Sequence, residues 1–126
     1  MSARYPHILG AGVLLRARDT GRVLLGRRSR LVPESGVWDV FGGGVEPGES
    51  PRAAAARELA EEAGISGVEI SERPILVSGS YAVFLGEAPR ELPPKLNWES
   101  STARWFAVDD LPKKLRPAAR RAIVLL

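Results

Sequence analysis

Apolar residues in this chain follow two rhythms. Over 7–18, Ile8, Leu9, Val13, Leu14 and Leu15 crowd together, so the stretch predicts a mostly buried strand. Asp19-Thr20-Gly21 predicts a hairpin turn and 22–28 the return strand. After a loop holding Pro33 and Gly36, a short strand is expected over 37–41, then a loop from Gly42 to Glu49. Helical spacing takes over at 51–63. Ser50 is placed to cap the helix start, Pro51 to occupy its first position and Gly64 to end it. This helix is expected to put Ala55, Ala56, Leu59 and Ala63 against a sheet and Glu58, Glu61 and Glu62 on another side. Further strands are expected at 68–71, 75–78, 81–85 and 103–108. The stretch 86–98, with three prolines, is too long for a tight hairpin. Asp109-Asp110 can cap a C-terminal stretch, and 117–126 reads as a last helix. Strands on both sides of a central helix, with a second helix at the end, predict an α/β/α sandwich around a mixed sheet, one domain over 1–126.

Composition narrows the setting more than the chemistry. The chain has 126 residues, 44% hydrophobic and 26% charged, as in ordinary soluble globular proteins. No run approaches the ~20 apolar residues of a membrane span, and no apolar signal-peptide core precedes His7. With no cysteine, disulfides and thiolate metal sites are excluded, and a cytoplasmic setting is expected. The net charge is +3, and 15 of the 18 basic residues are Arg, which suits polyanionic ligands. With one Asn and no Gln in the chain, we place GC-rich codon usage ahead of function as the cause; thermophily would leave the same mark.

The chemistry lies in 43–65. Glu58, Glu61 and Glu62 stand at helical i, i+3, i+4 spacing, where like charges oppose each other by a few tenths of a kcal/mol per pair. Oxygen donors on so short an arc suit Mg²⁺ or Mn²⁺. The segment resembles the Nudix box, whose pattern is G-x(5)-E-x(7)-R-E-U-x-E-E-x-G-U with U a bulky aliphatic residue. Gly43, Glu49, Arg57, Glu58, Leu59, Glu61, Glu62, Gly64 and Ile65 fill every constrained place. A solvated Glu-rich helix accounts for Glu61-Glu62 but not for glycines and Glu49 at fixed distances. Upstream, 23–28 and Trp38 resemble the family's strands before the box. Downstream, Glu99, Trp105-Phe106 and Asp109-Asp110-Leu111 resemble the segment after it. One departure is Phe41 before Gly42-Gly43, where the family often has Pro.

The resemblance implies the same sandwich and a metal-dependent pyrophosphohydrolase acting on a nucleoside diphosphate derivative: a nucleoside triphosphate, dinucleoside polyphosphate or nucleotide sugar. It implies Glu58 and Glu62 as principal metal ligands, Glu61 as a lesser one and the Gly42 carbonyl completing the set. Arg57 is implied to pair with Glu49 or a ligand, and Gly43, Glu49 and Gly64 to act structurally. The general base is Glu58 or Glu99, with Glu87 and Glu91 as rivals; Glu99 lies on a long loop from which it can close over a diphosphate. Arg27 and Arg28 are candidate phosphate contacts. Trp38, Tyr81, Trp98 and Trp105 can stack on a base; core packing is the reading for Trp38 and Trp105, and Trp98 is the open candidate. His7 is expected at the surface. Ser80 stands where ADP-ribose hydrolases often carry Pro, whereas Tyr81 fits the tyrosine of diadenosine polyphosphate hydrolases, although a lone strand tyrosine is ordinarily packing. The expected partner is a small nucleotide, with no membrane and with a homodimer left open. The alternative is an RNA-end-processing or nucleic-acid-binding protein on the same scaffold, against which no basic stripe with interleaved aromatics appears. A degenerate binding domain conflicts with the intact glutamates.

Overall fold

The computed structural model describes residues 7–126. In order, the elements are β1 (Gly10–Ala17), β2 (Val23–Arg28), β3 (Trp38–Asp39), β4 (Phe41–Gly44), α1 (Pro51–Ala63), β5 (Glu69–Ile70), β6 (Leu76–Ser78), β7 (Tyr81–Ala88), β8 (Ser100–Phe106) and α2 (Pro117–Val124). The sheet is mixed: β1 runs parallel to β7 over its whole length and antiparallel to β2 and β4. A helix covers each face. Val13 and Leu15 of β1, Leu24 of β2 and Phe84 of β7 pack with α1, while Leu14, Val23, Leu25 and Val83 pack with α2. Neighbouring residues therefore go into opposite cores, which is why these strands read as unbroken apolar runs. The arrangement is the α/β/α sandwich expected from the sequence.

The expected strand at 37–41 breaks at Val40, and its continuation draws residues 42–44 of the predicted loop into the sheet. Trp38 and Asp39 pair with Arg27 and Gly26 of β2. The chain then crosses to β1, where Phe41, Gly42, Gly43 and Gly44 pair with Val13, Gly12, Ala11 and Gly10. β2 accompanies β1 only at Leu15 and Arg16, so β4 takes the β1 edge that β2 leaves free. Gly42 and Gly43 are thus sheet residues, Gly43 facing Glu58 of the next helix and Gly42 facing Tyr81 on the other side.

Helix α1 occupies the predicted span and buries Ala55, Leu59 and Ala63 as expected, but its buried face extends to Ala54 and Glu62 instead of Ala56. Ala54, Ala55, Leu59, Glu62 and Ala63 are buried and Ala56 only half-buried. At about 100° per residue, Glu58 and Glu62 lie one turn apart on the side facing β4, and Glu61 lies round the edge. α2 starts after Arg116 with no side-chain cap, so Asp109-Asp110 lie upstream and do not cap it. β7 runs on to Ala88 and β8 begins at Ser100, which shortens the long connection to 89–99. Among the described residues, no helix is long and apolar enough to cross a membrane.

Candidate active site

Local chemistry fixes the loop before α1. The Ser50 hydroxyl accepts the Ala53 N–H at 3.1 Å, and Gly64 ends the helix in the left-handed region at φ 66°. Arg57 reaches back over this loop. Its guanidinium grips Glu49 with two hydrogen bonds, Nε to Oε2 at 2.8 Å and Nη2 to Oε1 at 3.0 Å, and donates to the Gly44 carbonyl at 2.9 Å. Two parallel charge-assisted bonds restrict orientation as well as distance. They hold the Glu49 carboxyl below its ordinary range. Nη1 of the same guanidinium meets Glu61 at 3.2 Å. Glu61 is otherwise exposed and stands at the margin of the acidic group.

The remaining carboxylates are driven together where water is scarce. Glu62 is 6% exposed, and its Oε1 accepts the Gly42 N–H at 2.9 Å. Glu99 lies beside it in the same small cleft. Burial, followed by the charges of Glu99 and Glu58, pushes the Glu62 pKa up to about 9. Burial raises Glu58 as well, opposed by Arg57. Glu58 fits here because Gly43 has no side chain: a Cβ on Gly43 would lie 2.1 Å from Glu58 Oε2. Glu87 and Glu91 are not brought to this cluster. Glu87 meets Arg16 at 3.3 Å, and Glu91 meets Arg22 at 3.7 Å.

A cavity of about 380 Å³ lies beside the carboxylates. Arg28, Asp39, Tyr81 and Arg116 supply its polar wall, and Val40, Val83, Ala118 and Ala119 its apolar one. A small cleft holding Glu62 and Glu99 shares Arg28, Asp39, Val40 and Gly42 with it, so the two spaces adjoin. Tyr81 lies over a floor of glycines: a Cβ would come within 2.8 Å of its ring at Gly10, and within 2.4 Å and 2.0 Å of its hydroxyl at Gly12 and Gly42. Packing and cavity lining are therefore both true of Tyr81. Burial and the nearby Asp39 and Glu62 push its phenol upward, so it remains a proton donor. Asp39 accepts from the Val40 N–H at 2.8 Å and from Arg116 Nε at 2.9 Å. Its carboxyl is raised by burial despite that arginine. No sequence signal pointed to the Asp39–Arg116 pair, whose members are 77 residues apart.

A β-bulge between Arg27 and Arg28 separates these two candidates. Arg28 lines the cavity and donates to the Pro33 carbonyl at 2.7 Å, while Arg27 is exposed outside it. Trp38 packs edge-on against Phe106 at 5.0 Å, and Trp105 Nε1 donates to the Leu92 carbonyl at 3.1 Å; both are half-buried and packed against the cores. Trp98, 61% exposed, adjoins Glu99. His7 is exposed.

Glu58, Glu62 and Glu99 offer only hard oxygen donors, crowded by burial with no cationic side chain bonded to Glu62 or Glu99 among the described residues. That donor chemistry fits a divalent cation. Among the described residues, no group of three or more His, Cys, Asp or Glu side chains is arranged to hold a metal ion.

A profile of the NUDIX domain matches residues 6–126. The putative 8-oxo-dGTP diphosphatase 3 of Mycobacterium tuberculosis is 34% identical over 118 residues, covering 81% of this chain and 54% of that protein. An RNA pyrophosphohydrolase of Caulobacter vibrioides is 48% identical over 67 residues, 53% of this chain and 38% of that protein. The chain thus spans about half the length, or less, of these relatives. Among solved structures, a MutT NUDIX hydrolase from Burkholderia pseudomallei is similar with a TM-score of 0.73 and 30% identity, covering 93% of this chain and 95% of that one.

Proposed function

This chain belongs to the Nudix hydrolase family, and on that premise we propose that it is a metal-dependent pyrophosphohydrolase cleaving the diphosphate of a nucleoside diphosphate derivative. The observation that carries the reading is the convergence of Glu58, Glu62 and Glu99 beside a cavity, where burial and mutual repulsion raise the carboxyls of Glu58 and Glu62 and a cation would relieve both. Glu58 and Glu62 would hold Mg²⁺ or Mn²⁺, with the Gly42 carbonyl and Glu61 as secondary donors. The bound cation would neutralise phosphate oxygens and acidify a water.

The chain's own residues do the rest. Arg57, tied to Glu49 and the Gly44 carbonyl, keeps α1 and the glycine strand in fixed relation. Glu99 takes the proton from the water attacking phosphorus, with Glu58 as the alternative base; the P–O–P bridge breaks and the departing phosphate carries away the electron pair. The adjoining cavity is of a size for a nucleoside. Val40, Val83 and the α2 alanines would face the base, while Asp39 and the Tyr81 hydroxyl would meet its polar edge. Arg28, between cavity and carboxylates, is the stronger of the two arginine candidates for phosphate contact. Trp98 would stack on an outer group.

The second reading, cleavage at a 5′-triphosphorylated RNA end, has one observation in its favour. The stretch 111–126 has no acidic residue, and Lys113, Lys114, Arg120 and Arg121 lie exposed beside the cavity wall that Arg116 and Ala118 form. One panel tests both readings. Nucleoside triphosphates, dinucleoside polyphosphates, nucleotide sugars and 5′-triphosphorylated RNA are incubated with Mg²⁺ or Mn²⁺, and released nucleotide, phosphate and pyrophosphate are measured. Turnover of a small nucleotide above the RNA supports the first reading. No hydrolysis of any diphosphate compound would overturn it.

A further inference from the structure

The connection 89–99 docks on the C-terminal end of α1. A helix leaves its last carbonyls without internal partners, and here two are satisfied from this connection. The Lys95 N–H donates to the Ala63 carbonyl at 2.8 Å, and the Asn97 N–H donates to the Glu62 carbonyl at 3.2 Å. Gly64 makes the room: a Cβ there would lie 2.9 Å from Lys95 Cβ and 3.1 Å from its carbonyl oxygen. The docking brings the Asn97 side chain to Glu99. Its Oδ1 accepts the Glu99 N–H at 2.9 Å, and its Nδ2 donates to Glu99 Oε1 at 3.2 Å. From the other side comes Ser29, a buried polar residue at the end of β2. Its N–H donates to the Glu99 carbonyl at 2.9 Å, and its hydroxyl to the Trp98 carbonyl at 2.8 Å. Glu99 is therefore held at both backbone groups and at one carboxylate oxygen, contrary to the closing loop expected from the sequence.

We propose that Asn97, braced by Ser29, is the positioning residue that sets Glu99 against Glu62 before any ligand arrives. This rests on the reading that Glu99 belongs to the active site. Asn97 touches both members of the acidic pair, Glu62 through its backbone and Glu99 through its side chain. Only an amide serves here, because the Glu99 backbone requires an acceptor and the Glu99 carboxylate a donor. Ser has a single oxygen on a shorter side chain and cannot place an acceptor and a donor at the two positions of the Asn97 amide, and Asp supplies no donor when ionised. Asn97 is the sole asparagine of the chain.

The test is Mn²⁺ binding to the full chain, followed by electron paramagnetic resonance, with melting temperature as a control and kinetics on whichever nucleotide of the panel is hydrolysed. Four variants are compared: Glu99→Gln, Asn97→Ala, Asn97→Ser and the double Asn97→Ala/Glu99→Gln. Glu99 sits beside the proposed metal ligand Glu62, which makes Asn97 an outer partner of that ligand; such partners are typically worth about 10–100-fold in affinity, so Asn97→Ala should weaken Mn²⁺ about 10-fold and lower kcat with little change in KM. The double variant should be no worse than Glu99→Gln, because Asn97 acts through that carboxylate. Asn97→Ser keeps a hydroxyl acceptor for the Glu99 N–H. It should fold like the parent yet lose Mn²⁺ affinity as Asn97→Ala does, which separates positioning from folding. Unchanged Mn²⁺ affinity in Asn97→Ser, or losses that add in full in the double variant, would overturn the brace. If Glu99→Gln alone changes neither Mn²⁺ binding nor turnover, the placement of Glu99 in the site fails first and the brace with it.

Discussion

Glu62→Gln should stabilise the metal-free protein while removing its response to divalent cations. In the folded chain Glu62 keeps its proton up to about pH 9, against 4.5 for the free side chain. Between those values the folded state binds more protons than the unfolded one, so stability falls as pH rises through this window and the loss is complete above about 9. At 1.36 kcal/mol per pH unit, the part of the window below pH 7 corresponds to at most about 3 kcal/mol. Gln has the same size, keeps an oxygen for the Gly42 N–H and has an amide donor for Glu99. The substitution removes the buried ionisation and leaves the packing. For a chain of this length the gain corresponds to a melting temperature higher by on the order of 10 °C near pH 7.5. The assay is differential scanning fluorimetry from pH 5 to 9, with EDTA and with millimolar Mg²⁺. The parent should melt progressively lower as pH rises in EDTA and recover with Mg²⁺; Glu62→Gln should be flatter with pH and indifferent to Mg²⁺. A variant melting below the parent in EDTA at pH 7.5 would refute this reasoning, because Glu62 would then contribute more by its interactions than burial takes away.

Two of the three β4 glycines, Gly42 and Gly43, should fail differently. A Cβ on Gly42 would come within 2.5 Å of the Ala11 carbonyl and 2.6 Å of Gly12 Cα, so Gly42→Ala should lower the melting temperature by the equivalent of about 1–3 kcal/mol. On Gly43 the obstacle is the end of the Glu58 side chain, so Gly43→Ala should melt near the parent yet lose Mn²⁺ affinity and turnover. Arg57→Lys keeps the charge and loses the paired bonds to Glu49, and should reduce kcat more than it changes KM in steady-state assays. Tyr81→Phe deletes only a cavity hydroxyl and should raise KM for the preferred nucleotide while leaving Mn²⁺ affinity unchanged in the resonance assay.

Local punctuation made α1 readable. Ser50, Pro51 and Gly64 act within their own turn, and the helix runs Pro51–Ala63 as they predict. The same is true of the hairpin between β1 and β2, where Gly21 takes a positive φ of 76°. Elements fixed by distant partners were not readable. Gly42 and Gly43 look like loop residues until β1 is seen to offer them an edge, and no local signal reports that β2 has left it. The edge of the buried α1 face, Ala54 in place of Ala56, escaped the sequence for a related reason. Alanines at 54, 55 and 56 have equal apolar character, so only the sheet decides which are buried. Spacing alone brought out Glu58, Glu61 and Glu62, but burial sorts them, leaving Glu61 at the margin beside Arg57. Asn97 carried a signal that could have been taken up: a single asparagine in a chain poor in amides, two residues before Glu99.

The insertion of β4 also explains why the acidic residues are so strongly perturbed. Had 42–44 been a loop, water would reach Glu58 and Glu62 and their repulsion would be screened. As a strand on β1, it brings the Gly42 N–H onto Glu62 and the bare Cα of Gly43 against Glu58, and α1 closes on it without side chains to hold the two apart. The absence of side chains therefore sets the electrostatics: close approach removes water, and the loss of water raises the carboxyls. Arg57 could have relieved this repulsion, but its paired bonds go to Glu49, and its nearest approach to Glu58 is 3.6 Å. The arginine that could neutralise the cluster instead fastens the loop beside it. The charge deficit remains at Glu58, Glu62 and Glu99, where a cation can be bound and a phosphate attracted to it.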